Sequence, residues 1–409
     1  MLSYRVSDAA RRAVRRWMRR LRGYRLGELP EVNIGRSSQA GPPRLNVIML
    51  SIRKDRAFGG TDTAFRFFDA VQEHFPRRRI LVLAEDEADF NRASWPGWSL
   101  ESEDPLSDRT IVYLTKPGAR PLFEPTDRLL ATHWRTAYYA QEVLRRLRQD
   151  GQWIGPFAYL IQDFEPGFYP WSGQFLVSSA TYSWSSDTIA VFNTELLQQY
   201  FLQAGYRFDC DFVFEPRLNP TLALQRGEAA AHKKRKLLLV YGRPASPRNA
   251  FNLVVETLLV WANRYPGAAE WDVISLGDTH KDVPLAKDVT LIARGKASLD
   301  DYARYLLDAS VGLSLMVSPH PSYPPMEMAE FGVRVVTNDF ANKHLSDRSA
   351  NILSLADTAP SALADALIQC CEAHERGDPI TDLRPVFLGG ANEFPFAADL
   401  AARLLGDAA

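Results

Sequence analysis

Short runs of consecutive apolar residues recur along the chain, and most are followed by a stretch in which apolar positions return every three or four residues. Residues 45–50, 79–83, 110–114, 157–161 and 188–192 read as buried strands, each too short for a helix and bounded by polar or Gly-rich segments. Helical spacing covers 61–74 and a long stretch over 127–150. The alternation pauses between 221 and 236, where Gln225-Arg226-Gly227-Glu228 and His232-Lys233-Lys234-Arg235-Lys236 predict an exposed connector. A second series then begins, with strands at 237–241, 271–276, 289–292, 311–315 and 333–337 and helices at 251–265, 298–309 and 325–331. Strands alternating with helices in this way predict parallel sheets covered on both faces, hence an α/β protein of two doubly wound, Rossmann-like halves. Ligands in such sheets sit beyond the carboxyl ends of the strands, so a cleft between the halves is the expected site.

These patterns divide the chain into a basic helix and linker at 1–43, a first half at 44–220, a connector at 221–236, a second half at 237–390, and a last helix within 391–409 that can cross back to the first half. At 409 residues, two domains are the natural count. Apolar residues make up 46% and charged residues 24%, enough to build cores and too apolar for a disordered chain. No uninterrupted apolar run of bilayer length occurs. Three cysteines, two of them adjacent, cannot form a disulfide framework, so a reducing cytoplasm is the expected compartment.

The net charge of −1 argues against a nucleic-acid partner, but it hides an uneven distribution. Residues 1–25 carry nine arginines against Asp8, a local +8 that leaves −9 on the rest. Val6, Ala10, Ala13, Val14, Trp17, Met18 and Leu21 share one helical face there, which predicts a cationic amphipathic helix. Such a helix can lie on the anionic inner face of the cytoplasmic membrane, or pack on the body of the protein.

The chemistry is narrowed first by exclusion. The first strand is not followed by a dinucleotide-binding Gly-x-Gly-x-x-Gly, and P-loop and Ser-elbow motifs are missing too. Histidines lack metal-ligand spacing, and Asp209-Cys210-Asp211, though a D-x-D, sits near the connector and reads as incidental. Neither a cofactor nor a bound metal is expected. The informative residues lie at predicted strand ends. Arg243 leaves the strand at 237–241 and Asn249 follows it, Lys296 follows Gly295, and the Pro-rich loop holding His320, Ser322 and Tyr323 runs into a helix carrying Glu327. A nucleotide diphosphate leaving group would be stabilised by the forked guanidinium of Arg243 and the point charge of Lys296. Glu327, read as a first-turn acid, is expected to stay ionised and accept hydrogen bonds from ribose hydroxyls. In the first half, Gly59-Gly60 would let backbone approach the donor closely, or simply make a tight turn. Gln162, Asp163 and Glu165 follow a buried strand, with Trp134 as another polar-aromatic candidate, and together they are the expected acceptor contacts. Asp163 is the leading carboxylate to take the acceptor proton. Taken singly, each of these residues also has an ordinary structural role open to it.

Glu327-Met328-Ala329-Glu330-Phe331-Gly332-Val333-Arg334-Val335-Val336 resembles the E-A-M-A-x-G-x-P-V-I stretch of retaining glycosyltransferases of family 4, which have the two-domain GT-B fold. Residues 159–166, 241–251 and 318–332 are similar to a rhamnosyltransferase branch of that family, the WsaF-like enzymes, with similarity running over roughly residues 44–400. The resemblance implies a metal-independent transferase, dTDP-β-L-rhamnose as donor, and a growing bacterial surface glycan or lipid-linked oligosaccharide as acceptor. One departure bears on the donor sugar. The broad family has a second glutamate eight positions before the one matching Glu327, and Pro319 stands there. The His320–Tyr323 loop is therefore expected to contact the donor sugar. Two rival readings are a GT-B sugar-nucleotide epimerase or hydrolase, and a non-catalytic nucleotide-sugar binder or scaffold in a polysaccharide assembly complex.

Overall fold

The computed structural model describes residues 26–27, 29–54, 59–152, 154–229, 231–380 and 384–406. The basic segment 1–25, with its expected amphipathic helix, lies outside the described residues.

In chain order the strands are β1 (Gly35–Arg36), β2 (Arg44–Met49), β3 (Arg77–Val82), β4 (Ser99–Leu100), β5 (Arg109–Tyr113), β6 (Leu122–Phe123), β7 (Asp127–Ala131), β8 (Phe157–Ile161), β9 (Thr188–Asn193) and β10 (Cys210–Phe214). They continue as β11 (Arg235–Gly242), β12 (Asp272–Gly277), β13 (Val283–Ala286), β14 (Val289–Gly295), β15 (Ala309–Leu313), β16 (Arg334–Asn338) and β17 (Ile352–Leu355). The first large sheet runs β10-β9-β8-β7-β2-β3-β5-β4 and is parallel throughout. The second runs β13-β14-β12-β11-β15-β16-β17 and is parallel except for β13. Both faces of each sheet are buried, which is why most strands read as continuous apolar runs. In each sheet the first strand of the unit, β2 or β11, lies centrally with a crossover to either side. Both sheets therefore have a switch point where a crevice opens beyond the strand ends.

One sequence expectation fails here. The stretch 127–150 is not a single helix: Asp127–Ala131 is a central strand beside β2, and the helix spans Trp134–Gln149. The cause is visible at both ends of the break. Asp127 is fully buried and takes two hydrogen bonds from Arg44, through Nε at 2.7 Å and Nη2 at 2.9 Å. His133 caps the helix by accepting from the Arg135 amide, while Thr136 Oγ1 accepts from the His133 amide. That strand end is also where Arg79 is buried, donating to Asn46 Oδ1 at 2.6 Å and to the Leu122 carbonyl at 3.0 Å.

The polar stretch 221–236 is not wholly loop, since Pro220–Arg226 is helical and β11 begins at Arg235. Asp209-Cys210-Asp211 enters β10, an edge strand, where Asp211 accepts from Gln198 at 2.8 Å. The helix Ala397–Leu405 packs on the first half: Phe394, Leu400 and Leu404 share a core with Leu45, Val47 and Phe67.

Candidate active site

The carboxyl edge of the second sheet gathers most of the residues singled out at its strand ends. β11 ends at Gly242, where any Cβ would collide with Ser275 Oγ, so glycine is required before Arg243 turns out of the sheet. Arg243 Nε reaches Asp278 Oδ1 at 3.3 Å, a long bond, and the Tyr241 phenol is a second hydrogen-bond partner of the guanidinium. Tyr241 lies against it. Burial pushes the Tyr241 phenol up, the Arg243 charge opposes that, and Glu327 and Arg248 act on the same phenol, so four polar side chains share one neighbourhood. Lys296 is exposed at the carboxyl end of β14, on the same sheet edge and two strands from β11.

Glu327 departs from expectation. It lies in the second turn of the helix Tyr323–Glu330, not the first, and the Tyr302 hydroxyl donates to its Oε2 at 2.8 Å. Burial raises its pKa to about 7 against the opposing effect of that hydrogen bond, so in this state it is poised between acid and carboxylate.

The loop from Ser314 to Ser322 is clamped from behind. Asn338 accepts from the Met316 amide at 2.7 Å, and buried Lys343 donates to the Met316 carbonyl at 2.7 Å. Desolvation lowers the Lys343 pKa to about 8, opposed by Asp163 and Asp339. Asn249 is also buried and donates to the Leu315 carbonyl, tying this loop to the one after β11. His320 Nδ1 accepts from the Ser322 amide at 3.1 Å, so the ring proton resides on Nε2, which is buried without a partner. Burial holds the His320 pKa down to about 4, leaving a neutral imidazole with an N–H donor to offer. Ser322 sits at φ +70° and Ala250 at φ +48°, positions that cost non-glycine residues energy and flank this same region.

The first half meets this edge through β8, β9 and the start of the helix Gly60–Gln72. Gly59 has φ +52°, and a Cβ on Gly60 would stand 3.0 Å from Gln162 Oε1, a buried oxygen without a partner. Asp163 is buried and occupied: Arg248 Nη1 donates to Oδ2 at 2.7 Å, while the Ser318 hydroxyl and the Phe164 amide donate to Oδ1. Arg248 also lies 4.3 Å from the centroid of the Phe168 ring. The Tyr323 hydroxyl accepts from Asn193 Nδ2 at 3.1 Å, and its ring packs edge-on against His320 at 5.5 Å. These contacts hold the two halves together over the expected cleft.

Two expected acceptor contacts lie inside the protein instead. Trp134 is 1% exposed, and its indole N–H donates to the Tyr169 hydroxyl at 3.0 Å. Glu165 is 3% exposed and accepts from the Trp134 amide at a helix start and from the Tyr159 hydroxyl at 3.1 Å. Burial raises the Glu165 pKa to about 8 despite those bonds. His133 Nε2 lies 3.9 Å from Glu165 Oε1, but burial lowers the His133 pKa to about 3, so near neutral pH the two are an uncharged pair and not a salt bridge. Glu165 was offered by the sequence as a polar residue after a strand and Trp134 as part of a polar-aromatic cluster; what joins them, Trp134 to Glu165 and to Tyr169, spans 31 and 35 positions. Conversely, Arg248, Ser318, Asn193 and Lys343 were missed as site residues. Arg248 and Ser318 already lay within stretches carrying the resemblance, whereas nothing local distinguishes Asn193 or Lys343.

With this geometry in hand, comparison with known proteins adds three findings. The family models described as the WsaF N-terminal domain and the WsaF C-terminal domain match residues 44–195 and 236–368. O-antigen biosynthesis protein RfbC of Myxococcus xanthus is 28% identical over 311 residues, covering 75% of this chain and 23% of that protein, so the chain spans about a quarter of this relative. Among solved structures, WaaG, titled a glycosyltransferase involved in lipopolysaccharide biosynthesis, superimposes with a TM-score of 0.50 at 12% identity, over 88% of this chain and 100% of its own. A trehalose-phosphate synthase from Burkholderia vietnamiensis gives 0.50 at 11% identity, over 88% and 99%. At these identities the structural likeness concerns the fold, and the fold is GT-B.

Proposed function

We propose, from the premise that this chain belongs to the WsaF family and carries both of its domains, that it is a glycosyltransferase moving L-rhamnose from dTDP-β-L-rhamnose onto a growing bacterial surface glycan. The observation that carries the reading is the meeting of Arg243, Tyr241, Glu327 and Tyr302 at the carboxyl edge of the second sheet, opposite the Gly59-Gly60 helix start of the first. The surface-glycan context is supported by the relative named for O-antigen biosynthesis.

In this reading the C1–O bond to the diphosphate breaks with its electron pair leaving on the phosphate oxygen. Arg243 and Lys296 stabilise that charge, work done elsewhere by a divalent metal, and Glu327 receives the deoxyribose hydroxyl. The neutral His320 N–H donates to the donor sugar or its phosphate, in a site where Pro319 supplies no carboxylate. Ser322 and Tyr323 shape the same loop, and Asn249 anchors it from within. The acceptor oxygen bonds to C1 from the face the diphosphate leaves, retaining configuration, and its proton passes to the departing phosphate. Asp163 is assigned to tying the halves together, since it is buried and accepts from Arg248, Ser318 and Phe164. Gln162 remains an acceptor-side candidate. The enzyme works in the cytoplasm against the membrane, held by the basic segment 1–25 near a lipid-linked acceptor; among the described residues no helix is long and apolar enough to cross a bilayer.

Calorimetry with dTDP and UDP, followed by a dTDP-rhamnose turnover assay with a rhamnosylated acceptor, tests this. Tight dTDP binding with transfer is the expected result. Binding with hydrolysis alone supports the hydrolase rival, binding without turnover the scaffold rival, and no binding defeats the donor assignment.

A further inference from the structure

Residues 166–186 contain no charged side chain, yet much of this stretch lies on the surface. Trp171 is 91% exposed and Leu176 70% exposed. Trp171 leads into the helix Gly173–Ala180, which carries Leu176 and buries only Ser178 of its eight residues, so the helix projects from the first half. The projection is well built. Ser172 Oγ caps the helix by accepting from the Phe175 amide at 3.2 Å. The Trp171 ring lies on Phe175 at 4.9 Å, and Phe175 meets Phe164 edge-on at 6.5 Å, which roots the pair in the aromatic core. The Ser178 hydroxyl donates to the Gln174 carbonyl at 2.7 Å and the Ser179 hydroxyl to the Phe175 carbonyl at 2.8 Å. Hydroxyls bonded one turn back in this way can leave water without losing a partner. At the helix start, a Cβ on Gly173 would stand 3.1 Å from Leu26 Cδ2, so the basic segment 1–25 joins the described chain against this helix.

We infer that Trp171 and Leu176 insert into the interface of an anionic lipid bilayer, beside the arginines of segment 1–25 on its headgroups. The docking rests on these residues; that it delivers a lipid-linked acceptor rests on the transferase reading. Three features select a bilayer. The patch is convex and carries an indole at its tip, which suits a yielding interface where that amphipathic ring is favoured. Its exposed bulk is Trp and Leu, and two of its serines are already bonded to backbone, so it offers little to the hydroxyls of a free sugar. Charge decides the rest. Segment 1–25 brings nine arginines to the edge of a patch whose residues 166–186 hold no carboxylate, whereas anionic headgroups supply the countercharge. Position agrees: Phe168, shortly before Trp171, meets the Arg248 guanidinium of the second half at 4.3 Å, so a bilayer on this patch lies beside the mouth of the cleft.

Vesicle flotation of the full chain tests this, with phosphatidylcholine–phosphatidylglycerol vesicles against phosphatidylcholine alone. The parent should float with the anionic vesicles and not with the neutral ones. Trp171→Ser combined with Leu176→Ser, both at exposed positions, should weaken that partition about tenfold, while dTDP affinity and turnover of a water-soluble acceptor stay unchanged. Trp171→Phe, which remains apolar, should float to within ~threefold of the parent but lose part of the quenching of tryptophan fluorescence by bromolipids. Undiminished partition of the double variant, equal flotation with both kinds of vesicle, no flotation of the parent, or quenching unchanged in Trp171→Phe overturns the inference. So does a parent that dimerises in sedimentation and turns monomeric in the double variant, which makes the patch a contact between copies. A double variant that loses turnover of the soluble acceptor overturns it too, by making the patch a glycan platform. The donor measurement separates this from the wider reading: the expected flotation with no dTDP binding at all keeps the lipid surface and removes the transferase.

Discussion

Two strand edges of this molecule carry similar residues to opposite ends. Beyond β7 and β8, His133, Trp134, Tyr159 and Glu165 satisfy one another within the first half and are sealed by aromatic rings. Beyond β11 and β15, Arg243 is bonded at long range to Asp278 and to the Tyr241 phenol, and the His320 N–H has no partner. A polar group whose hydrogen bonds close within its own half contributes to the fold. One that is buried yet lacks a partner, as His320 Nε2 is, has been desolvated without compensation, and under the proposed reading it is open to a ligand. Perturbed pKa values occur on both edges, so perturbation alone does not separate them.

The contrast can be broken or sharpened by experiment. The largest effect is expected at Trp134: Trp134→Ala should destabilise the fold by ~3–5 kcal/mol in denaturant titration. A variant of full stability that loses only transfer would return Trp134 to the acceptor site. Next, Arg243→Ala should weaken dTDP binding by roughly 10–100-fold with little change in melting temperature, because a charge-assisted bond to phosphate contributes ~1.5–3 kcal/mol. Unaltered affinity would remove the open edge from the donor site. Asp163→Asn should have a smaller effect, lowering kcat several-fold as the tie from Arg248 and Ser318 across the halves weakens, with dTDP affinity kept to within ~threefold. Loss of activity that returns with a small added carboxylate would instead make Asp163 the base.

The smallest effect is a pH dependence. Glu165, raised from an ordinary 4.5 to about 8, stabilises the fold fully below pH 4.5, and that contribution disappears as pH rises through about 8. His133, lowered from 6.5 to about 3, acts in the other sense, its contribution being present above 6.5 and lost as pH falls toward 3. From 6.5 to 8 only Glu165 of this pair still titrates, so the pair's contribution should decline over that window, against the rise that the lowered Lys234 gives above about 7, and Glu165→Gln should remove the declining part. An unchanged slope in that variant would place the titrating group elsewhere.

Strands were legible wherever burial on both faces made the apolar run continuous, as in β2, β8, β9 and β11. β7 was not, because buried Asp127 and half-buried Arg128 interrupt its pattern and their partners, Arg44 and the helix Ala397–Leu405, lie far away in the chain. The helix Pro360–Glu375 was passed over as well, lying beyond the motifs that drew attention to the second half. In the site, Arg243 and Glu327 announced themselves through their place after strand and loop signals. Ionisation did not: Glu327 takes its state from Tyr302 and from burial, which no local spacing reports. Asp163 illustrates the same limit, since its partners stand 85 and 155 positions away.

The docking of Ala397–Leu405 onto the first half means that the polypeptide passes between the two halves twice. Two crossings act as a pair of door hinges: they permit swinging about one line and forbid free twisting or drifting apart. Under the proposed reading, opening to admit a sugar nucleotide would break the contacts across the mouth, among them Arg248 and Ser318 to Asp163 and Asn193 to Tyr323.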